Sequence, residues 1–218
     1  DGDDGFYVLE VNTRLQVEHG ISEAISGVDI VAEQIRVAAG EPLGYSQRDV
    51  ELRGHAIECR LYAEDPRRFL PAPGAVHKVR WPTGAHIRVD TAVSSGSVVS
   101  RHYDPMIAKL TVWGPDRMAA IGRMREALHE TVLLGISTNI PFHLRVLDEP
   151  DFLAGRYTTR YIDEHPALTE ALTLDERDAK AAAAAAVFAA RRARVSGARA
   201  DVGEVGVSAW RRASRWRS

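Results

Sequence analysis

Hydrophobic and polar positions alternate most regularly over residues 54–63, as in a β-strand with one buried face. One side of this segment carries the mainly apolar set: His55, Ile57, Cys59 and Leu61. Further short apolar runs, separated by Gly, Pro and Ser clusters, predict strands at residues 76–81, 86–90, 98–103 and 107–113. Strands at such short spacing favour an antiparallel sheet.

Apolar residues recur every three or four positions in three other segments, which is the period of an amphipathic helix. These segments are residues 22–39, 116–129 and 139–147. In the second of them, one side of the helix would carry Met118, Ile121, Met124, Arg125 and Leu128. Gly27 interrupts the first, and Asp29 is a suitable N-cap for the part that follows. Strands and helices together predict an α+β fold, an antiparallel sheet with packed helices.

Polar residues occupy every second position from Glu10 to Glu18, which is the period of a β-strand with one polar face. This stretch follows an apolar run at residues 6–9, which predicts a buried strand. In an extended chain alternate side chains point to the same face. One face would then carry five polar groups: Glu10, Asn12, Arg14, Gln16 and Glu18. A solvated strand shows the same alternation, so the pattern alone allows either a surface strand or a ligand-binding strand end.

The residue types on this face favour a site for a metal ion and an anion. Glu10 and Asn12 supply the hard oxygen donors that Mg²⁺ prefers. Arg14 can stabilise an anion or a developing oxyanion, and Glu18 is a candidate general base. Such a set suits phosphate or carboxylate chemistry.

Several residues of the predicted sheet have a purely structural interpretation. Arg60 could form an exposed salt bridge with Glu58, which contributes little to stability. His55 is interpreted as structural, because no second His or Cys stands nearby at metal-site spacing. Cys59 is the single cysteine, so no internal disulfide can form, and it is expected to be buried. Lys109 is predicted to be a charge at the sheet edge.

Composition limits the classes of function. Of the 218 residues, 45% are hydrophobic and 27% charged, as in an ordinary globular protein. The net charge of −2 gives no general attraction to nucleic acid or to a membrane surface. The basic run at residues 191–194 lacks an interleaved aromatic platform for nucleic acid. No apolar segment is long enough to cross a bilayer and no signal peptide is evident, which favours the cytoplasm.

The ten residues EVNTRLQVEH at 10–19 resemble the signature near the end of the ATP-grasp region of biotin carboxylases. Further motifs follow in the order of that family: GHAIECR at 54–60, AEDP at 63–66, FLPAPG at 69–74, YDPMIAK at 103–109 and LGISTN at 134–139. The resemblance covers residues 3–165. It is greatest to the C-terminal part of the biotin carboxylase in α subunits of bacterial acetyl-, propionyl- or other acyl-CoA carboxylases.

The resemblance implies three segments. Residues 1–45 would be the C-terminal end of the ATP-grasp region, with the metal and bicarbonate site. Residues 46–165 would be the biotin carboxylase C-terminal domain. Residues 166–218 would be an Ala- and Arg-rich helical linker, with a helix at 175–193, and the possible start of a next domain.

The same resemblance implies the reaction. In this family ATP phosphorylates bicarbonate, the resulting carboxyphosphate yields CO₂ and phosphate, and N1 of biotin is then carboxylated. The expected cofactors are ATP, Mg²⁺ (or Mn²⁺) and biotin on a carrier domain. Glu10 and Asn12 match family residues that hold the metal ions at the nucleotide phosphates.

The remaining site residues match groups around bicarbonate and biotin. Bicarbonate is held in the family by the counterparts of Arg14, the side chain of Gln16, the backbone N–H of Val17, and Glu18. Three of the matched residues would be catalytic: Arg14, Glu18 and Arg60. Glu18 matches the general base, Arg14 stabilises charge during transfer, and Arg60 stabilises the biotin enolate. Arg88 lies where the family places a dimer-interface arginine.

Departures from the family lead to further expectations. Gly20 stands where the family usually has proline, a backbone change of little chemical consequence. The sequence contains no Gly-rich phosphate loop and opens on Asp1, so we expect a fragment that is inactive alone. It contains no Met-Lys-Met biotinylation motif, so biotin would be attached elsewhere. The expected partners are a biotin carboxyl carrier domain, a carboxyltransferase subunit and a second copy of the chain.

Two other functions stay open at this stage. Another ATP-grasp ligase, such as carbamoyl-phosphate synthase, would share the carboxylate–amide metal ligands but would not account for residues 54–60. A non-catalytic dimerisation domain would form dimers and bind no nucleotide. The sequence does not indicate which acyl-CoA is carboxylated, because a carboxyltransferase makes that choice.

Overall fold

The structure, a computed structural model, describes residues 7–170 and Ala184. The chain divides into a unit of residues 1–170 and a unit of residues 171–218. Every helix and strand named below belongs to the first unit. Apart from Ala184, the helix predicted at residues 175–193 lies outside the described residues, as does the predicted start of a next domain.

The strands form one three-stranded sheet and two short pairs. Their bounds are β1 (His55–Tyr62), β2 (Gly74–Ala75), β3 (Lys78–Arg80), β4 (Ile87–Thr91), β5 (Val98–Val99), β6 (Met106–Gly114) and β7 (Val132–Leu134). The main sheet has the order β1-β6-β4, with both pairings antiparallel. β2 pairs with β5 and β3 with β7, again antiparallel. The antiparallel sheet predicted from the alternating segments is confirmed.

Of the six α-helices in residues 7–170, the first four follow the predicted helical segments, and the last two, both short, were not predicted. Their bounds are α1 (His19–Ser26), α2 (Ile30–Ala38), α3 (Arg117–Glu130), α4 (Ile140–Val146), α5 (Pro150–Leu153) and α6 (Tyr161–Glu164). Gly27 ends α1 in the left-handed conformation, at φ 73°, and the Asp29 carboxylate caps α2 by accepting from the backbone N–H of Ala32 at 2.8 Å. Across residues 7–170, no helix has the length and apolar character needed to span a membrane.

The hydrophobic core lies between one face of the main sheet and α3. The largest side chains buried there include Leu61, Leu110, Ile121, Met124 and Leu128. α3 approaches the sheet closely: a Cβ on Gly114 would lie 2.5 Å from the backbone nitrogen of Ala120. Because Gly114 has no side chain, the start of α3 can come this close to the end of β6. Met118, which the periodicity assigns to the apolar side of this helix, is 58% exposed, so that part of the prediction was wrong.

The opposite face of the main sheet is polar and is covered by α1. Gly20, in the first turn of α1, is buried against Thr111 and Glu58. A Cβ there would meet Thr111 Oγ1 at an ordinary 3.6 Å, so this position is not sterically restricted to glycine. The first helix thus packs on polar rather than apolar strand residues, and the preceding residues Val17 and Glu18 contact Lys109 and Arg60 of the sheet.

The buried strand predicted at residues 6–9 is wrong for the residues that the structure describes. Tyr7 and Leu9 are 90% and 94% exposed, and residues 7–13 have no regular secondary structure. An extended segment becomes a strand only by pairing its backbone groups with a neighbour. Within residues 7–170 no strand pairs with this segment.

Gly54 lies just before β1, the strand that carries Arg60, and a substitution at this position tests how closely β1 packs there. The φ of Gly54 is 68°, and an added Cβ would lie 2.4 Å from the carbonyl oxygen of Gly114 and 2.5 Å from the Trp113 ring. We expect Gly54→Ala to lower the free energy of unfolding by more than about 1 kcal/mol, as measured by urea denaturation.

The matched control is Gly96→Ala. Gly96 also has a positive φ, 90°, but an added Cβ would have no neighbour within 4 Å. The control therefore contains the backbone strain without the clash, and its effect should be smaller. Equal losses of stability in the two variants would contradict close packing at Gly54.

Candidate functional site

Two rows of polar side chains cross the sheet face that α1 covers. The strand register places Arg60, Lys109 and Asp90 opposite one another in one row, and Glu58, Thr111 and Arg88 in the next. Successive residues of a strand point to opposite faces, so these alternate positions share a face. The sequence shows each strand's polar positions, but only the register shows that they form continuous rows.

The contact between Arg60 and Glu18 joins the two predicted parts of the site. Arg60 NH2 donates to Glu18 Oε2 at 2.8 Å, although the residues are 42 positions apart in the chain. Both side chains are about half exposed, at 40% and 51%, so the ion pair contributes little to stability. Its main consequence is geometric, because it places a guanidinium and a carboxylate side by side at the surface.

Glu58 is the second acidic partner of Arg60. Its Oε1 lies 3.6 Å from Arg60 Nε, and its side chain is only 4% exposed. Thr111 Oγ1 donates to Glu58 Oε2 at 3.4 Å. The salt bridge with Glu58 considered from the sequence is therefore present, but it is part of the same arrangement that directs Arg60 toward Glu18.

The backbone of Arg60 is fixed by α4 and the residue before it. The buried Asn139 side chain donates to the Arg60 carbonyl and accepts from the Tyr62 N–H, both at 3.0 Å. His143 Nε2 also donates to the Arg60 carbonyl at 3.0 Å. Burial lowers the pKa of His143, so the ring is neutral with its hydrogen on Nε2. The sequence showed Asn139 within a motif but gave no signal of this supporting role.

The turn that leads into α1 holds residues 16–18. The Gln16 carbonyl accepts from His19 Nδ1 at 2.7 Å and from the His19 backbone N–H at 3.3 Å. The Val17 carbonyl accepts from Lys109 Nζ at 2.8 Å. The prediction that Lys109 is a sheet-edge charge was wrong, because β6 is the central strand of the main sheet.

Glu10, Asn12 and Arg14 are exposed and lie farther from the sheet contacts. Asn12 Nδ2 is 3.5 Å from Glu10 Oε1, so the two side chains share a side of the chain as predicted. If the Asn12 amide is flipped about its Cβ–Cγ bond, Oδ1 takes the place of Nδ2 beside Glu10 Oε1. Two oxygen ligands are then adjacent, as a Mg²⁺ site requires. Among the described residues, the Arg14 side chain donates one hydrogen bond, to the neighbouring Leu15 carbonyl. In residues 7–170 no hydrogen bond joins these three to β1 or β6.

Cys59 and His55 have structural environments, as predicted. Burial raises the pKa of the Cys59 thiol to about 12, so it is not a nucleophile at neutral pH. His55 Nε2 lies 3.2 Å from Arg117 NH1. Among residues 7–170, no cluster of three or more His, Cys, Asp or Glu side chains could hold a metal ion by itself.

Two family profiles match the chain. "Biotin carboxylase C-terminal domain" matches residues 58–164, and "Carbamoyl-phosphate synthase L chain, ATP binding domain" matches residues 1–46. The first contains Arg60, and the second contains the polar stretch from Glu10 to Glu18. The contact between Arg60 and Glu18 therefore joins the two matched regions.

Curated relatives and solved structures agree with these matches. The chain is 47% identical over 165 residues to the biotin carboxylase of Haemophilus influenzae, covering 76% of this chain and 37% of that protein. It is 48% identical over 224 residues to the propionyl-CoA carboxylase alpha chain of Ruegeria pomeroyi, covering 90% and 33%. The biotin carboxylase domain dimer of Hydrogenobacter thermophilus 2-oxoglutarate carboxylase, solved with MgADP and bicarbonate, matches with a TM-score of 0.72 and 46% identity, covering 73% and 36%.

The fold and the matched regions place this chain among the biotin carboxylases. It contains the C-terminal part of one: the end of an ATP-binding region and the C-terminal domain that follows. The chain spans about a third of the length of these relatives.

Proposed function

We propose that this chain supplies the C-terminal part of the active site of an ATP-dependent biotin carboxylase in an acyl-CoA carboxylase. The overall reaction converts ATP, bicarbonate and a biotinyl carrier into carboxybiotin, ADP and phosphate. The observation that carries the proposal is the 2.8 Å hydrogen bond from Arg60 to Glu18. It brings a cation that can stabilise a developing oxyanion next to a carboxylate that can take a proton.

Glu18 is the proposed general base. Its side chain is half exposed and lies at the end of the segment that precedes α1, so a small anion can reach it. When Glu18 takes the bicarbonate proton, the resulting negative charge needs stabilisation. Arg14, the side chain of Gln16 and the backbone N–H of Val17 are the proposed groups that hold bicarbonate and offset this charge.

Arg60 is the proposed partner of biotin. Removing the proton from the ureido nitrogen of biotin leaves negative charge on the ureido oxygen, and a guanidinium stabilises such charge through paired N–H donors. Asn139 and His143 hold the Arg60 backbone, and Glu58 and Glu18 contact its side chain. The guanidinium is therefore positioned before a substrate binds.

Glu10 and Asn12 are the proposed ligands of Mg²⁺ or Mn²⁺ at the ATP phosphates. Carboxylate and amide oxygens suit either ion. When bound, the metal would offset the charge of the phosphate groups during transfer to bicarbonate. These two side chains provide only part of a coordination sphere, so further ligands must come from phosphate, water or other protein groups.

The proposed partners follow from the same reaction. A biotin carboxyl carrier domain presents biotin to Arg60, and a carboxyltransferase subunit receives the carboxyl group. A solved relative is a dimer of biotin carboxylase domains, and we propose a homodimer that includes Arg88. The boundaries at residues 45 and 165 and the cytoplasmic location stay predictions.

The test is bicarbonate-dependent ATP hydrolysis with and without free biotin. The protein is a chimera in which the N-terminal part of the Haemophilus influenzae biotin carboxylase precedes residues 10–218 of this chain. We expect biotin-stimulated turnover in the chimera and none in residues 1–218 alone. A folded chimera that binds ATP but does not respond to biotin would overturn the proposal.

The two alternative functions make different predictions in the same assay. A ligase of the carbamoyl-phosphate synthase type is supported only by the profile that matches residues 1–46, and it would hydrolyse ATP with bicarbonate but without any biotin effect. A dimerisation domain without chemistry would yield an inactive chimera that still forms dimers.

A further inference from the structure

Lys109 lies in an unusual place for a lysine, on the central strand of the main sheet. Its side chain is only 11% exposed and faces the segment that leads into α1. A buried ammonium group is costly unless charged or polar partners replace its water. The proposed reaction steps assign no role to Lys109, so the function of this buried charge must be inferred from its contacts.

Asp90 and Val17 are the partners of Lys109. Asp90 Oδ2 lies 3.3 Å from Lys109 Nζ, and the Val17 carbonyl accepts from the same nitrogen at 2.8 Å. Partial burial acts to raise the pKa of Asp90, but the hydrogen bond and charge of Arg88, with the charge of Lys109, hold it below the usual value. Asp90 is therefore ionised, and it orients the ammonium group so that another of its hydrogens meets the Val17 carbonyl.

The bond to Val17 fixes one of two adjacent peptide planes. A peptide group is planar, so holding the Val17 carbonyl also holds the N–H of Glu18. The preceding plane, which contains the N–H of Val17, is held through the Gln16 carbonyl by His19. With both planes fixed, the backbone dihedrals of Val17 are fixed too. The Cα atoms of Gln16 and Glu18 are then held in fixed relative positions, and Arg60 orients the Glu18 side chain.

We propose that Lys109, oriented by Asp90, is a positioning residue that holds the bicarbonate-binding segment of residues 16–18 in its productive conformation. This inference rests on the proposed function of that segment. Among the described residues, Lys109 Nζ contacts the Val17 carbonyl and Asp90. It acts through the Val17 carbonyl, so its loss should weaken bicarbonate binding while ATP binding and the sheet are retained.

The variant is Lys109→Met, which keeps the length of the side chain and removes its charge and donors. Lys78→Met is the matched control, because Lys78 is an exposed residue of the short strand β3. One hydrogen bond from a charged group corresponds to roughly tenfold or more in an equilibrium. In the chimera we expect Lys109→Met to raise the KM for bicarbonate about tenfold, with an unchanged KM for ATP, and Lys78→Met to change neither.

A second measurement does not depend on activity. The backbone N–H groups of His19 and Ile21 donate to the carbonyls of Gln16 and Glu18, and their hydrogen exchange reports opening of this turn. In residues 1–218, Lys109→Met should speed their exchange about tenfold. Hydrogen exchange in β3 and α3 should be unchanged in Lys109→Met. In the control variant Lys78→Met, exchange of the His19 and Ile21 N–H groups should be unchanged.

The combined outcomes separate this inference from the proposed function. Faster exchange with a raised KM for bicarbonate supports the positioning role, and partial recovery of KM in Lys109→Arg would strengthen it. Unchanged exchange, or a uniform loss of protection throughout the sheet, would overturn it. Faster exchange with an unchanged KM for bicarbonate would overturn it as well. An unsubstituted chimera without bicarbonate-dependent hydrolysis would instead refute the proposed function, and hydrogen exchange would then decide alone whether Lys109 holds the turn.

Discussion

Glu18→Gln in the chimera is expected to lower bicarbonate-dependent ATP hydrolysis by about 10²- to 10⁴-fold, the usual contribution of a general base. The substitution keeps the size of the side chain and an oxygen that can accept from Arg60. Because glutamine cannot take the bicarbonate proton, the loss should appear in kcat. Steady-state hydrolysis with saturating ATP and bicarbonate measures it.

Two controls make this result specific. Glu51→Gln alters an exposed carboxylate that pairs only with Arg53 among the described residues, and it should leave the rate unchanged. The ATP affinity of the Glu18→Gln chimera should equal that of the parent, since Glu18 contacts Arg60 rather than the proposed metal ligands. Retention of more than a tenth of the parent kcat would show that Glu18 is not the base.

Arg60→Met should separate the two halves of the reaction. We expect biotin-dependent carboxylation to fall by about 10²- to 10³-fold, the cost of removing a group that stabilises developing oxyanion charge. Bicarbonate-dependent hydrolysis of ATP measured without biotin should persist, because Glu18 and the proposed bicarbonate-binding segment remain. Transfer of labelled carbon from bicarbonate to biotin measures the first activity, and phosphate release measures the second.

Removing Arg60 also leaves Glu58 without its cationic partner, so loss of stability must be distinguished from loss of chemistry. Arg60→Lys keeps a positive charge near Glu58 but lacks the planar pair of donors. It should therefore fold normally and still carboxylate biotin poorly. Arg53→Met, at an exposed position, is the control for the charge change. Equal losses of hydrolysis and of carboxylation in Arg60→Lys would place Arg60 in the bicarbonate step instead.

The sequence predicted where the helices and strands lie better than it predicted which strands lie next to each other in the sheet. The period of two at residues 55–62, the interruption at Gly27 and the N-cap at Asp29 depend on local backbone and side-chain preferences, so they can be predicted from the sequence. The strand order is not local. Lys109 was therefore assigned to a sheet edge, although β6 lies between β1 and β4.

The two other errors have similar causes. The apolar residues 7–9 have strong strand propensity, but a strand needs a partner for its backbone groups, and the structure has none beside them within residues 7–170. Met118 is spaced three residues from Ile121, but the buried side of α3 runs through Ala120, Ile121, Met124, Ala127 and Leu128, and Met118 lies outside that arc. Spacing from one core residue therefore does not place a side chain on the buried face.

The candidate site was identified from the sequence only as far as its residue types. Glu10, Asn12, Arg14, Gln16 and Glu18 formed a pattern, and Arg60 was assigned to the same site through the family resemblance. The hydrogen bond between Glu18 and Arg60 and the support from Asn139 and Lys109 depend on tertiary contacts between residues 42 to 92 positions apart. Such contacts leave no local period in the sequence.

Because Cys59 is buried, the rate of its chemical modification can be used to measure the opening of the main sheet. The thiol is enclosed in β1, the strand that also carries Arg60, and with a pKa of about 12 it is almost entirely protonated at neutral pH. The thiolate is the form of cysteine that attacks alkylating reagents, so this side chain can be modified at an appreciable rate only while β1 is detached from α3. Because the chain has a single cysteine, the rate at which it is modified reports how often β1, which carries Arg60 of the proposed active site, separates from α3.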